Sequence, residues 1–236
     1  MPRRDPVPDV RDQIRLLEEF LNNTRDAEGR KPCDARCGIY AYYDFDGAPI
    51  YVGQTREQLR VRIRRHLTNK RTDAVAMKVL DPMEVAEIEV WPFWDLDGTS
   101  TNDQKIVLNA AEYSVFKMLN EQRGAISNLL NEVLPPPTAI IELPTSYRQS
   151  IVPEESRERL YHPDERIARR AGIIAALAHI IKERDVSLGL RRTLVTQADR
   201  LLRLAKRRMD QMLGETPPAE AERELYGETD DSEPLE

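Results

Sequence analysis

Four of the eight tyrosines in this chain lie close together, at Tyr40, Tyr42, Tyr43 and Tyr51. A phenol donates and accepts hydrogen bonds, and it can act as a base where a lowered pKa leaves it as a phenolate. A glycine stands near each end of this stretch, at Gly38 and Gly53. Because glycine weakens a strand and usually marks a close approach of the backbone, the two glycines leave room beside the tyrosines.

An arginine and a histidine follow at a spacing that places both side chains on one side of a helix. Arg62 and His66 are four residues apart, so they share one side of the helix predicted there. Arginine stays charged and binds phosphate oxygens in a bidentate manner, whereas histidine exchanges a proton near neutral pH. The choice of Arg62 is open by about one position, because the same helix carries Arg60, Arg64 and Arg65.

A carboxylate occurs on an otherwise apolar helical stripe further along. Glu112 shares that stripe with Leu108, Val115 and Leu119. Burying an unpaired carboxylate is costly, so the pattern favours a partner such as a metal ion or an arginine.

The order of these groups resembles the GIY-YIG nuclease family. The triplet Gly38-Ile39-Tyr40 precedes Tyr51-Val52-Gly53, in which valine replaces isoleucine, and Arg62, His66 and Glu112 follow. The family ends with an asparagine after the glutamate helix, for which Asn128 is the first choice and Asn120 and Asn131 compete. The resemblance covers about residues 37 to 131. It implies an α/β fold with a small mixed or antiparallel three-stranded sheet flanked by helices.

The resemblance also implies roles for these residues. Glu112 would bind Mg²⁺, with Mn²⁺ as a substitute, and Arg62 would hold phosphate oxygens. Tyr40 would orient or deprotonate the attacking water, and Tyr51 would hold the phosphate or share that role. His66 would orient Tyr40 or relay its proton, and Asn128 would fix the geometry of Glu112 or of the strand pair. Nearby cations are expected to lower the pKa of the tyrosine that acts as the base.

The elements that position these groups follow from local patterns. "VRDQIRLLEEFLNNT" predicts a helix, and "GIYAYYDF" and "APIYVGQT" predict two strands joined by a "DG" turn. Thr55 and Gln58 have capping-box spacing, which predicts a helix start there. "MEVAEIEVWPFW" predicts a third strand, and residues 103–121 predict another helix.

The C-terminal third has a different character. "PPP" at 135–137 ends the region of resemblance, and two helical patterns joined by "DVSLG" predict a helical hairpin with its arginines outside. The predicted units are an N-terminal helical extension over 1–30, a nuclease domain over 31–143, a linker and basic helical hairpin over 144–213, and a disordered acidic tail over 214–236.

The net charge of −6 hides an uneven distribution of charge. From Asp210 onward the chain has ten acidic residues and one basic residue, whereas the preceding part has 34 Lys and Arg against 31 Asp and Glu. One basic cluster predicts contacts with nucleic acid through Arg56, Arg60, Arg64, Arg65, Lys70 and Arg71. The other, over 157–208, predicts either a clamp on the nucleic-acid backbone or a homodimer interface.

Other features limit the classes of protein to which this chain can belong. The sequence has no run of about 20 apolar residues that could span a membrane and no apolar signal stretch, so we expect a cytoplasmic location without membrane contact. Cys33 and Cys37 supply at most half of a zinc site, and two free, partly buried thiols are the better interpretation.

These observations predict a metal-dependent endonuclease acting on double-stranded DNA. Restriction or defence against foreign DNA is the first expectation for its role, because the chain lacks the extra domains of the excision-repair incision subunit. A nuclease of DNA repair or of a mobile element is an alternative. A non-catalytic nucleic-acid-binding protein on a nuclease fold is another, although a pure binder has no need of Glu112.

Overall fold

The computed structural model describes residues 8–68, 79–121 and 129–214. These residues form an α/β structure around a four-stranded antiparallel sheet with the strand order β2-β1-β3-β4. The strands are β1 (Gly38–Tyr43), β2 (Pro49–Thr55), β3 (Glu87–Pro92) and β4 (Tyr147–Ser150). Strand β2 is therefore an edge strand, and β1 lies inside the sheet.

The sheet has one strand more than the three that were predicted. Strand β4 pairs with β3 from Glu87↔Ser150 to Val90↔Tyr147. Its sequence, "YRQS", gave no signal because a half-exposed edge strand needs no alternating apolar residues. Backbone pairing with β3 holds this segment in the sheet instead.

Six helices surround the sheet within the described ranges. They are α1 (Pro8–Asn23), α2 (Leu59–Thr68), α3 (Thr101–Glu121), α4 (Glu154–Tyr161), α5 (Pro163–Glu183) and α6 (Leu188–Leu213). The short helix α4 was not predicted, and "MEVAEIEVWPFW" forms a strand only over its middle. No helix among these residues is both long and apolar enough to cross a membrane.

The predicted capping box does not form. Thr55 is the last residue of β2, and its hydroxyl accepts a hydrogen bond from the backbone N–H of Glu57 rather than of Gln58. Helix α2 begins later, at Leu59, whose backbone N–H donates to the carbonyl of Ala35. The threonine thus shapes the turn between strand and helix, and the helix starts about one turn later.

The two faces of the sheet pack against different helices. On one face, Tyr40, Tyr42 and Ile88 join a core with residues of α1, α2, α5 and α6. On the other face, Ile39 and Val52 pack against the apolar stripe of α3. The sheet therefore separates α2 from α3, and both helices reach its β2 edge. Cys33 and Cys37 are free thiols, and both are buried.

A buried ion network holds α5 and α6 against the sheet. Asp44 and Asp46 lie in the turn after β1, and Glu84 lies just before β3. All three carboxylates accept hydrogen bonds from arginines of the two helices. The arginines involved are Arg166, Arg169, Arg170, Arg200 and Arg207.

The arginines of α5 and α6 were predicted to lie outside, and this was wrong for the central ones. Arg166, Arg170 and Arg200 are only 1–3% exposed because they face the acidic turns. Leu177 and Leu190 join the same core cluster as Tyr40. The sheet and the core therefore continue past the boundary predicted at residue 143.

We predict that Asp44→Asn destabilises the fold by about 3–5 kcal/mol, because the buried Arg200 would lose its carboxylate partner and Arg170 would keep only Glu84. Burial raises the pKa of Asp44, but Arg200 and Arg170 outweigh it and hold that pKa below its usual value. A depressed carboxyl pKa stabilises the fold above a pH of about 4 and loses this effect as the pH falls further. Urea unfolding of wild type at pH 3–7 measures this loss.

The exposed Asp185→Asn serves as the control for the same change of charge. It should unfold like the wild type. Equal stability of Asp44→Asn and the wild type at pH 7 would show that the network contributes no net stabilisation.

Candidate active site

The tyrosines meet because of the register between β1 and β2. Tyr40 lies opposite Gly53, and Tyr42 lies opposite Tyr51. Since cross-strand neighbours share a face of the sheet, Tyr40, Tyr42 and Tyr51 gather on the face below α2. The ring centroids of Tyr40 and Tyr51 are 6.2 Å apart, and those of Tyr42 and Tyr51 are 5.8 Å apart.

The two glycines provide the room that the sequence indicated. A Cβ atom on Gly53 would lie 2.6 Å from both Cζ and the hydroxyl oxygen of Tyr40. A Cβ atom on Gly38 would lie 2.6 Å from Cδ1 of Leu59 in α2 and 2.9 Å from the carbonyl oxygen of Trp91. Gly53 therefore lets the Tyr40 ring lie across β2, and Gly38 lets α2 approach β1.

His66 projects from α2 into the tyrosine cluster. Its Nδ1 atom lies 3.4 Å from the hydroxyl oxygens of both Tyr40 and Tyr42. The His66 ring packs edge-on against Tyr51, with the centroids 4.9 Å apart. Burial, assisted by Arg62 and Arg65, lowers the pKa of His66 to about 4. The imidazole is therefore neutral at neutral pH and has one nitrogen able to accept a proton.

Arg62 differs from the other arginines of α2. Its Nε donates a hydrogen bond of 3.2 Å to the Tyr40 hydroxyl. The neighbouring arginines each pair with a carboxylate: Arg60 with Asp34, Arg64 with Glu18, and Arg65 with Glu57. No ion pair joins Arg62 to a carboxylate within the described residues. This difference favours Arg62 over its neighbours as the site arginine.

The expected lowering of the tyrosine pKa is not found. Burial raises the pKa of Tyr40, and the opposing effect of Arg62 is smaller. The pKa of Tyr51 lies well above its usual value, again mainly because of burial. Both phenols are therefore protonated at neutral pH, and both can donate a hydrogen bond.

Glu112 approaches from the opposite side of the sheet, on α3. Gln54 lies at the end of β2, and its Nε2 donates to Oε2 of Glu112 at 2.9 Å and to Oδ1 of Asn109 at 2.8 Å. Burial raises the pKa of Glu112, while the hydrogen bond from Gln54 and the charge of Arg62 oppose this shift. The Glu112 carboxylate is thus electrostatically linked to Arg62 across the edge of the sheet.

An open cleft runs between α2 and α3 along this edge. Its volume is about 470 Å³. Residues from β2, α2 and α3 line it, among them Gln54, Arg56, Glu57, Arg62, Lys105 and Asn109. Three of these side chains are cationic and one is anionic, which suits a negatively charged ligand such as a phosphodiester.

The asparagine that contacts the second glycine–tyrosine triplet is Asn131. Its Oδ1 accepts from the backbone N–H of Val52 at 3.1 Å, and its Nδ2 donates to the Val52 carbonyl at 2.6 Å. Asn131 was a competing choice, and it holds the second glycine–tyrosine triplet in place. The first choice, Asn128, lies outside the described residues, as do Lys70 and Arg71.

Three residues of the cleft were missed by sequence reasoning. Gln54 follows the second triplet directly, and its side chain positions Glu112. Asn109 and Lys105 precede Glu112 by three and seven residues, which places them on the same side of α3. That helical spacing was the available signal, but polar residues on an exposed helix face are too common to single out.

The donor set suits a magnesium ion with few protein ligands. Within the described residues, no three or more His, Cys, Asp and Glu side chains come together to hold a metal. Mg²⁺ prefers oxygen, keeps several waters and commonly uses one or two carboxylates. Glu112 supplies one carboxylate, which Gln54 holds, and the adjoining open cleft has space for waters.

One family comparison matches this part of the chain. Residues 36–117 match the family model of the GIY-YIG catalytic domain. The matched segment contains both glycine–tyrosine triplets, Arg62, His66 and Glu112, so the predicted resemblance is confirmed over this segment. The segment is a GIY-YIG domain with a nuclease-type fold. No curated protein and no solved structure gave a significant match.

We predict that the His66 ring stays neutral down to a pH of about 4. Because an unfolded histidine titrates near 6.5, the unfolded chain binds the extra proton first, and the fold loses stability as the pH falls from about 6.5 to 4. Nuclear magnetic resonance titration of the imidazole signals measures the pKa of His66, and the exposed His162 and His179 are observed in the same spectra. A His66 midpoint near 6.5 would contradict the burial described above.

Proposed function

We propose that this chain is a metal-dependent endonuclease that hydrolyses phosphodiester bonds of DNA. The observation that carries the proposal is the meeting of Tyr40, Arg62 and Glu112 at the β2 edge of a GIY-YIG domain, beside an open cationic cleft. Phosphodiester hydrolysis requires an activated water, neutralisation of phosphoryl charge and stabilisation of the leaving oxygen. The site offers groups suited to each of these tasks.

Glu112 is the residue we assign to the metal. Its carboxylate is held by Gln54, so its orientation does not depend on the metal. The raised pKa of Glu112 reflects burial, a cost that a nearby cation removes. Mg²⁺ or Mn²⁺, when bound there, supplies positive charge that polarises the scissile phosphate and stabilises the leaving 3′ oxygen.

The remaining groups act on the phosphate and on the attacking water. Arg62 holds phosphoryl oxygens with its guanidinium while Nε keeps its bond to Tyr40. Because Tyr40 is protonated, we assign it as a relay rather than as a preformed base. The attacking water gives a proton to the Tyr40 oxygen as Tyr40 passes its own proton to Nδ1 of neutral His66. The water oxygen then bonds to phosphorus as the bond to the leaving oxygen breaks.

We propose double-stranded DNA as the substrate, held at the cleft by Arg56, Arg62 and Lys105. Arg60, Arg64 and Arg65 would add to the field, but their ion pairs make them weaker phosphate ligands. The ion pairs of Arg166, Arg170 and Arg200 likewise speak against α5 and α6 as a phosphate clamp, and so favour dimerisation of this helix pair. Restriction or defence against foreign DNA is the proposed setting, and phage plating on cells with wild-type or inactive protein tests it.

The second candidate is a non-catalytic binder of nucleic acid. The bond between Gln54 and Glu112 argues against it, because a binder of phosphates gains nothing from an ordered, half-buried carboxylate beside its cleft. Incubation with plasmid, single-stranded DNA and RNA, with and without Mg²⁺ or Mn²⁺, separates binding from cleavage.

We predict that Glu112→Gln lowers the cleavage rate by about 10³-fold or more, because the variant keeps the side-chain size and loses the charge that binds the metal. Nucleic-acid binding should persist, since the cations of the cleft are unchanged. The exposed Glu142→Gln is the control for the same change and should cleave like the wild type. Full plasmid cleavage by Glu112→Gln would refute the assignment of the metal ligand.

We predict that Tyr40→Phe lowers turnover by about 10²-fold or more, because it removes the hydroxyl that links water to His66. The loss of one hydrogen-bonding group should change the free energy of unfolding by only about 1 kcal/mol. Cleavage rates and thermal unfolding measure both effects, with the exposed Tyr161→Phe as the control. A stable and fully active Tyr40→Phe would shift the role to Tyr51.

A further inference from the structure

Helix α6 has a row of large apolar side chains on the side that faces away from the sheet. Leu188, Val195, Leu202 and Met209 are 79%, 68%, 52% and 56% exposed. The inward side of the same helix is filled by other residues, including Leu190, Gln197 and Leu204. Single exposed apolar residues are ordinary on protein surfaces, but a continuous row of them marks an interaction surface.

The spacing of this row is that of a helix made to pack against another helix. Its members recur every seven residues, which keeps them on one side of an α-helix with a drift of about 20° per repeat. We call this row the ridge. Ala198 and Ala205 lie three residues after Val195 and Leu202, so a groove of small side chains runs beside it. No described residue covers the ridge.

The outer side of α5 has the opposite shape. Its exposed residues are small over most of the helix: Ala168, Ala171, Gly172, Ala175 and Ala178. Small residues let another helix approach closely, and α5 lies next to α6. One continuous surface therefore carries both a ridge and a shallow strip that could receive a ridge.

We propose that this surface, the outer faces of α5 and α6, is the interface with a second copy of this chain. A surface that carries complementary ridge and strip side by side is complementary to itself under a twofold rotation. The proposal concerns the helix pair and does not depend on the nuclease activity.

The pairing of α5 with α6 sets the register of this interface. Arg208 pairs with Asp164, and Arg170 donates to the carbonyl of Arg200, so the helices are antiparallel and Leu202 lies level with about position 170. A twofold axis parallel to the two helices places α6 of one copy over α5 of the other at the same level. Leu202 then enters between Ala168 and Ala171 of the second copy, and Val195 enters between Ala175 and Ala178.

Area and charge agree with this arrangement. A face two helices wide and about 30 Å long has a flat area of roughly 600 Å² per copy, near the ~800 Å² per partner of stable interfaces. The same register brings exposed Lys206 of one copy close to exposed Glu165 of the other. Residues 215–236 are a poorer occupant, because they are mostly acidic and polar.

Light scattering of the full chain over a range of concentrations tests the proposal first. We expect twice the 27.2 kDa mass of one chain. Leu202→Glu should weaken the dimer by about 100-fold or more, because each copy would bury an unpaired charge. Ala175→Gln should weaken it without a charge, by filling the strip. Ile106→Glu, at a helix position 58% exposed outside this surface, should leave the mass unchanged.

Cysteine cross-linking tests the register. The double variant Val195→Cys with Ala178→Cys should form a two-chain band under mild oxidation, and neither single variant should do so. A single-chain mass at all concentrations would overturn the proposal, whether residues 215–236 or another protein covers the ridge. A dimer insensitive to both Leu202→Glu and Ala175→Gln would also overturn it, because the contact would then lie elsewhere.

Discussion

The candidate site depends on one close approach, that of the Tyr40 ring to the backbone of Gly53. The β1–β2 register sets these two residues opposite each other, and a side chain at position 53 would collide with the phenol. With that space open, the Tyr40 hydroxyl lies where Arg62 and His66 of α2 both meet it. The same strand β2 ends in Gln54, which reaches the other side of the sheet and holds Glu112. A single edge strand thus connects side chains of α2 and α3, two helices that pack on opposite faces of the sheet.

Burial sets the protonation states in this site more strongly than charge does. Arg62 lies beside Tyr40, yet the pKa of the phenol is raised because the ring is enclosed on all sides. The same enclosure lowers the pKa of His66. Both shifts favour the neutral form of their group, so the resting site holds a protonated phenol beside a neutral imidazole. The sequence had suggested instead that a tyrosine with a lowered pKa acts as the base in its phenolate form.

Much of the framework was predictable from sequence, because it follows from local patterns. The first three strands, the helices α1, α3, α5 and α6, and the triplets at 38–40 and 51–53 all have clear periodicity or spacing. Strand β4 was not predictable, because only its pairing with β3 makes it a strand. The inward arginines, Arg166, Arg170 and Arg200, were assigned to the surface, because their buried partners Asp44 and Glu84 are distant in sequence. Gln54 was missed for a related reason, since its role arises from a contact with α3.

The contact between Asn131 and Val52 has a consequence for solubility. An edge strand exposes unpaired N–H and C=O groups, and a foreign strand can add to them. Along β2, the backbone N–H of Leu130 donates to the Ile50 carbonyl, and the Asn131 side chain occupies both backbone groups of Val52. Residues 130–131 therefore act as a shield for the middle of the edge strand, and leave its end at Gln54 open to the cleft. Loss of the Asn131 amide would expose a template for aggregation in the same strand that carries the site.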